Sequence, residues 1–243
     1  MRLVVLTDSH GNLPAVRAVL REIRRVGYDA IVHTGDAIGI GPYPAESLDL
    51  LLNTPRFYPL MGNHELWFAQ NLVAHPPPGV HPEGLAHRRW VDGALDPALR
   101  EVVARWPYSL LRTFHGLRIY FAHYAFLPGS WDFYPVLFHP TVEGLDRIFG
   151  RCSADLVFYG HHHPPSDLTG RARYVNPGSL GVSREPLARY VVLEVGEDGR
   201  YTLEKRAVPY DNRSVLRELT RREVPARDFI YRVFFGVSPQ AFV

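Results

Sequence analysis

The chain has 243 residues, 46% hydrophobic and 21% charged, with a formal net charge of +2. This composition excludes a disordered or fibrous chain, gives no charge excess that argues by itself for nucleic acid or membrane, and allows one large domain or two small ones. The sole cysteine, Cys152, excludes an internal disulfide and any multi-cysteine metal site, as expected in a reducing compartment. The apolar run at residues 3–6 is too short for a signal peptide, and no later run approaches about 18 apolar residues, so the expected location is cytoplasmic.

In chain order, residues 3–6 predict a buried strand that ends at Thr7-Asp8-Ser9-His10. A helix follows from about Pro14, with Asn12 or Leu13 near its start. Val16, Val19, Leu20 and Ile23 fall at helical spacing, and Gly27 is its stop. Residues 30–33 read as a second strand delivering Gly35-Asp36, 45–52 as a helix, and 57–60 as a third strand delivering Gly62-Asn63-His64-Glu65. Right-handed crossovers place successive parallel strand ends on one sheet edge, so these loops should converge. Gly35 and Gly62 are read as permitting the tight turns there.

Residues 66–106, broken by Pro76-Pro77-Pro78 and Gly79, read as an insertion with one or two short helices over the site, a lid or an elaborated connection. Its histidines, His75, His81 and His87, fit no ligand spacing and are expected in solvent. Residues 108–111 and 117–122 predict two strands joined by a turn at His115-Gly116, the second delivering His123. Tyr124, Phe126, Trp131, Phe133 and Tyr134 then form an aromatic loop that would suit a planar group. A strand at 156–159 leads into Gly160-His161-His162-His163. Beyond it come a strand at 173–175, a hairpin from 189–195 and 201–208, and one or two helices at 214–235 carrying Phe229, Ile230 and Val233. No flexible linker divides the chain, so one domain over 1–243 is expected.

Asp8, His10, Asp36, Asn63, His123 and the histidine run offer oxygen and imidazole nitrogen without thiolate, a set suited to manganese, iron or zinc. In this order the pieces Asp8-Ser9-His10, Gly35-Asp36, Gly62-Asn63-His64-Glu65, His123 and Gly160-His161-His162-His163 resemble the calcineurin-like metallophosphoesterases across about residues 1–180. Asn176-Pro177-Gly178-Ser179 and Gly39-Ile40-Gly41-Pro42, with Glu46 soon after, resemble the bacterial branch of small phosphodiesterase-like members. The resemblance implies an α/β fold, a four-layer α/β/β/α sandwich, with two divalent metal ions at the strand ends. Manganese is the first choice, and iron, zinc, nickel or cobalt are alternatives. It further implies that Asp8, His10 and His163 hold one ion, that Asn63, His123 and His161 hold the other, and that Asp36 bridges them. His64 would protonate the leaving oxygen or stabilise charge on the phosphate.

Many relatives carry an aspartate three residues after the bridging one, to orient that histidine, and the protein phosphatases follow it with arginine. Here those positions are Gly39 and Ile40, which argues against a protein phosphatase and leaves Glu65 or Glu46 as candidate partners of His64. The implied activity is hydrolysis of a phosphodiester or phosphomonoester of a small molecule or nucleotide. The alternatives are a non-catalytic metal-stabilised scaffold, or a nuclease using Arg88, Arg89, Arg171 and Arg173 as a basic track. No membrane partner is expected.

Overall fold

Strand β1 (Arg2–Leu6) separates two cores. Its side chains alternate, so Val4 and Leu6 face one apolar cluster while Leu3 and Val5 face another. A computed structural model describes residues 1–130 and 132–242, with the backbone alone for Ala241 and Phe242. Trp131, expected in the aromatic loop, lies outside the described residues.

Helix α1 (Leu13–Val26) starts where the Asn12 side chain accepts a hydrogen bond from the Ala15 amide and stops at Gly27, at φ 74°. Its buried stripe of Val16, Val19, Leu20 and Ile23 packs on the outer face of β1. Strands β2 (Ala30–His33) and β3 (Phe57–Pro59) continue the sheet in parallel, with helix α2 (Pro44–Leu52) between them in sequence. On the other side of β1 the hairpin β9 (Leu187–Val195) and β10 (Tyr201–Pro209) adds two antiparallel strands, giving the order β10-β9-β1-β2-β3.

The second sheet contains β4 (Ser109–Phe114), β5 (Leu117–Ala122), β6 (Leu156–Phe158), β7 (Ser166–Thr169) and β8 (Arg173–Asn176), in the order β4-β5-β6-β8-β7. Its three central strands are parallel and its two edge strands antiparallel. Leu3, Val5 and Val191 of the first sheet meet Ile119, Phe121, Phe158 and Val175 of the second in one inter-sheet core. Helix α6 (Val142–Phe149) covers the outer face of the second sheet through Leu145, Ile148 and Phe149. The result is the expected helix, sheet, sheet, helix order of layers.

Three helices occupy the 66–106 region: α3 (Asn63–Ala69), α4 (Pro82–Ala94) and α5 (Leu99–Val103). The first begins on Asn63 itself, so this segment grows out of the site rather than starting at Leu66. Phe68, Val91, Leu95, Val103 and Trp106 share a core with Ile38, Leu48 and Met61. Helix α7 (Asn212–Arg221) and α8 (Arg227–Ile230) continue into a π-helical turn, Tyr231–Phe235. The buried face runs along one side of these two short elements. Ile230, Tyr231 and Phe235 are buried, whereas Phe229 and Val233, expected on the packed side, are about half exposed. Among the described residues no helix is long and apolar enough to cross a membrane.

Phe158 is fully buried and stacked on Phe121, ring centroids 5.4 Å apart, whereas Val233 is 49% exposed. Phe158→Ala should therefore lower unfolding stability by about 3–5 kcal/mol. Val233→Ala should change it by less than about 0.5 kcal/mol. Urea denaturation of both variants checks the contrast.

Candidate metal centre

The strand ends are stitched together by backbone hydrogen bonds before any side chain is considered. Asp8 N–H donates to the Gly35 carbonyl (3.0 Å), His10 N–H to Asp36 (2.9 Å) and Gly160 N–H to His123 (2.8 Å). The 176–181 segment adds three ties: Ser179 N–H to His163 (2.7 Å), Leu180 N–H to Thr7 (3.0 Å) and Gly181 N–H to Asp8 (3.0 Å). Asp8, His10, Asp36 and His161 all have positive φ, at 51°, 46°, 57° and 68°, a left-handed conformation that non-glycine residues adopt at a cost. Gly35, at φ 106°, takes the tight turn expected of it. Gly62 does not, since its φ is −98°. It must be glycine because a Cβ there would collide with the Asp36 carboxylate and amide.

Two groups of donors result. Asp8, His10 and His163 form one, and Asp36, His123 and His161 the other, with the ligating atoms of each group within 4.8 Å of one another. In the first, His10 Nε2 lies 2.9 Å from His163 Nε2 and 3.6 Å from Asp8 Oδ1. In the second, His123 Nε2 lies 3.3 Å from Asp36 Oδ2, 3.1 Å from Asn63 Oδ1 and 3.2 Å from His161 Nδ1. Asp36 Oδ2 is also 3.9 Å from His10 Nε2, so one carboxylate faces both groups. Asp8, His10, Asp36 and His123 are buried.

Outer contacts fix how these donors point. His123 donates Nδ1–H to the Thr34 carbonyl at 3.0 Å, which turns its Nε2 toward Asp36. Asp8 Oδ2 accepts from the Thr7 hydroxyl at 2.6 Å, leaving Oδ1 toward His10 and His163. Asp36 Oδ1 accepts from the His64 amide at 3.0 Å. Carboxylate and amide oxygens converging with imidazole nitrogens, and no thiolate, form a set that fits a borderline divalent cation.

His64 lies beside the two groups, its ring 5.1 Å from that of His10 and edge-on to it; with His10 and Asp36 it makes a third donor group within 4.8 Å. Neither expected carboxylate partner reaches its ring. Glu65 is buried and accepts from the amides of Asp36 (2.7 Å), Ile38 (3.1 Å) and Gly62 (2.9 Å), so it clamps the Asp36 loop. Glu46 pairs with Arg222 at 2.7 Å. The family's aspartate position is filled instead by the imidazole, because a Cβ on Gly39 would overlap the His64 ring. His162 turns out of the cluster and bonds the Phe138 carbonyl at 2.9 Å. His75 and His81 are exposed, while His87, also expected in solvent, is buried with Nε2 3.4 Å from the Ile40 carbonyl. Sequence reasoning gave no role to Thr7, Ser179 or His33. The last accepts from the Gly35 amide (3.2 Å) and touches the Ser9 hydroxyl (3.0 Å) beneath the loops.

Aromatic rings border the cluster on two sides. Phe133 lies 5.5 Å from His161 and stacks on Phe126 at 4.5 Å; across the site Phe234, from the π-helical turn, lies 5.4 Å from His163.

Protonation follows from burial and from the two carboxylates. Burial pushes His161 and His163 down to about 4 and His64 to about 3, so all three are neutral near pH 7. Burial also pulls on His123, but the Asp36 carboxylate outweighs it and raises the imidazole to about 9. In the cation-free protein His123 therefore carries the proton that balances Asp36. A cation and that proton compete for one place, so metal affinity should rise with pH up to about 9 and level off above it. His10, beside Asp8 and Asp36, is also raised, so calorimetric titration with manganese at pH 7.5, in buffers of different ionisation enthalpy, should show net proton release that His123→Ala reduces. Proton release equal in wild type and His123→Ala would show that His123 Nε2 is not among the ligands.

The chain is similar to known proteins both in sequence and in fold. Residues 1–198 match the calcineurin-like phosphoesterase superfamily domain. An uncharacterized protein of Methanocaldococcus jannaschii is 24% identical over 241 residues, covering 92% of this chain and 93% of its own. Among solved structures, a hypothetical protein of Pyrococcus horikoshii OT3 superposes with a TM-score of 0.80 at 20% identity, covering 98% of this chain and 99% of its own. A metallophosphoesterase of Sphaerobacter thermophilus does so with a TM-score of 0.73 at 21% identity and the same coverage. At such identities the two structures share the fold, while the family match spans four-fifths of the chain and includes every donor described above: this protein belongs to the calcineurin-like phosphoesterase superfamily.

Proposed function

We propose that the protein is a dinuclear metal-dependent phosphoesterase acting on a phosphate ester of a small molecule or nucleotide. The observation that supports this most is the pair of buried donor groups facing one carboxylate, Asp36, inside a member of a phosphoesterase superfamily. In this reading Asp8, His10 and His163 hold one divalent ion, Asn63, His123 and His161 hold the second, and Asp36 serves both. Manganese is the first candidate. When bound, such ions neutralise phosphate oxygens and lower the pKa of water toward neutrality.

The chain's own groups orient and enclose the ester. His64, neutral because burial lowers its pKa to about 3 and without a carboxylate behind it, acts as an N–H donor to a phosphate oxygen rather than as a pre-charged acid. The Phe126–Phe133 stack offers a flat apolar face to a planar leaving group. The region 66–106 belongs to the same single domain and serves as the wall, or lid, on the His64 side. A nuclease is less well supported. Arg173 spends its guanidinium on Asp167 at 2.9 Å, and Arg171 lies against the last turn of α6, so the four arginines do not line up as one track.

Metal-loaded protein should hydrolyse p-nitrophenyl or bis-p-nitrophenyl phosphate and lose this on chelation or on Asp36→Asn. A fully loaded protein inert toward both esters would favour the scaffold reading. His64→Ala should retain its metal and slow cleavage roughly 100-fold, by similar factors for p-nitrophenyl and alkyl esters. A much larger loss for the alkyl ester would return His64 to the acid role. Gly39→Ala, which displaces the ring without removing it, should cost about as much.

A further inference from the structure

Among the described residues, one cation near the site makes no ion pair. Arg88, on α4, lies over the Trp67 ring with its guanidinium carbon 4.1 Å from the centroid, and with His64, Trp67, Phe68, Val91 and Asp92 it lines a narrow crevice. Its Nε is buried without a hydrogen-bond partner, and among the described residues no carboxylate lies within ion-pair distance of the guanidinium. Asp92, one turn along the helix, instead pairs through Oδ2 with Arg100 at 2.7 Å. A partly buried guanidinium left unpaired is costly, and here it is held in place by an aromatic face rather than by an acid. It shares that crevice with His64, so it sits on the His64 side of the donor cluster, and the Asp36 charge acts on it through space.

We propose that Arg88 is the specificity residue of this site, receiving the terminal oxygens of a phosphate monoester and selecting monoesters over diesters. This rests on the phosphoesterase reading above. The discrimination is one of charge and valence. A monoester carries close to two negative charges and three terminal acceptor oxygens near neutral pH. Esterifying it again removes one charge and one terminal acceptor. A planar guanidinium fork gains most from the first and least from the second. The Trp67 ring, 4.1 Å from the guanidinium carbon, holds the group in place.

The test compares wild type, Arg88→Gln, Arg88→Lys and, as control, the exposed neighbour Arg89→Gln, all as full-length, manganese-loaded protein with metal content measured. In the binding arm, calorimetry with inorganic phosphate should show Arg88→Gln weakened roughly 10- to 100-fold at unchanged metal content, Arg88→Lys in between, and Arg89→Gln like wild type. In the kinetic arm, Arg88→Gln should lose a similar factor in kcat/KM on p-nitrophenyl phosphate and change by less than about threefold on bis-p-nitrophenyl phosphate. Unchanged phosphate affinity, or equal losses on both esters, would overturn the proposal while leaving the phosphoesterase reading intact. If wild type cleaves neither ester, the phosphoesterase reading fails, and the phosphate titration alone then decides whether Arg88 receives the anion.

Discussion

Two buried carboxylates, Asp8 and Asp36, are the constraint around which the molecule is built. Removing such groups from water costs several kcal/mol each unless charge and hydrogen bonds replace the lost hydration. The fold answers with imidazoles on every side and with backbone amides from loops that are far apart in sequence. Those amides reach the site only if β1 and β2 end at the same level and the second sheet brings His123 and His161 against them. The positive φ values at Asp8, His10, Asp36 and His161 are the local cost of aiming side chains into so small a volume, and the inter-loop hydrogen bonds hold them there.

Glu65 shows how this constraint spreads. It reads as a candidate catalytic partner because it adjoins His64, yet it accepts three amides and so fixes the turn that carries Asp36. Its pKa rises to about 7, first because it is buried and then because Asp36 is near, which expresses the same shortage of positive charge seen at His123. Divalent cations would relieve both groups at once.

Much of the frame was legible in the sequence because its signals are local. Asn12 and Gly27 bound α1 by capping chemistry, and residues 30–33 and 117–122 match strands without adjustment. The donor residues were legible because each follows a short apolar run, and the topology then forces them together. What stayed hidden depends on distant contacts. Strand β7 (Ser166–Thr169) is polar and exists only by pairing with β8, and α6 was masked by its aromatic surroundings although Thr141 caps it. The setting of His64 could not be read from neighbours in sequence either. It depends on the missing side chain of Gly39, 25 positions away, and on the space that this leaves. Arg88, one arginine among many, stands out only once its lack of a carboxylate is seen.

The π-helical turn at Tyr231–Phe235 has a practical side. It buries Tyr231 and Phe235 and sets Phe234 against His163, so the end of the chain forms part of the rim of the cluster. A chain cut before Tyr231 would lose Phe234 from the wall next to a donor imidazole.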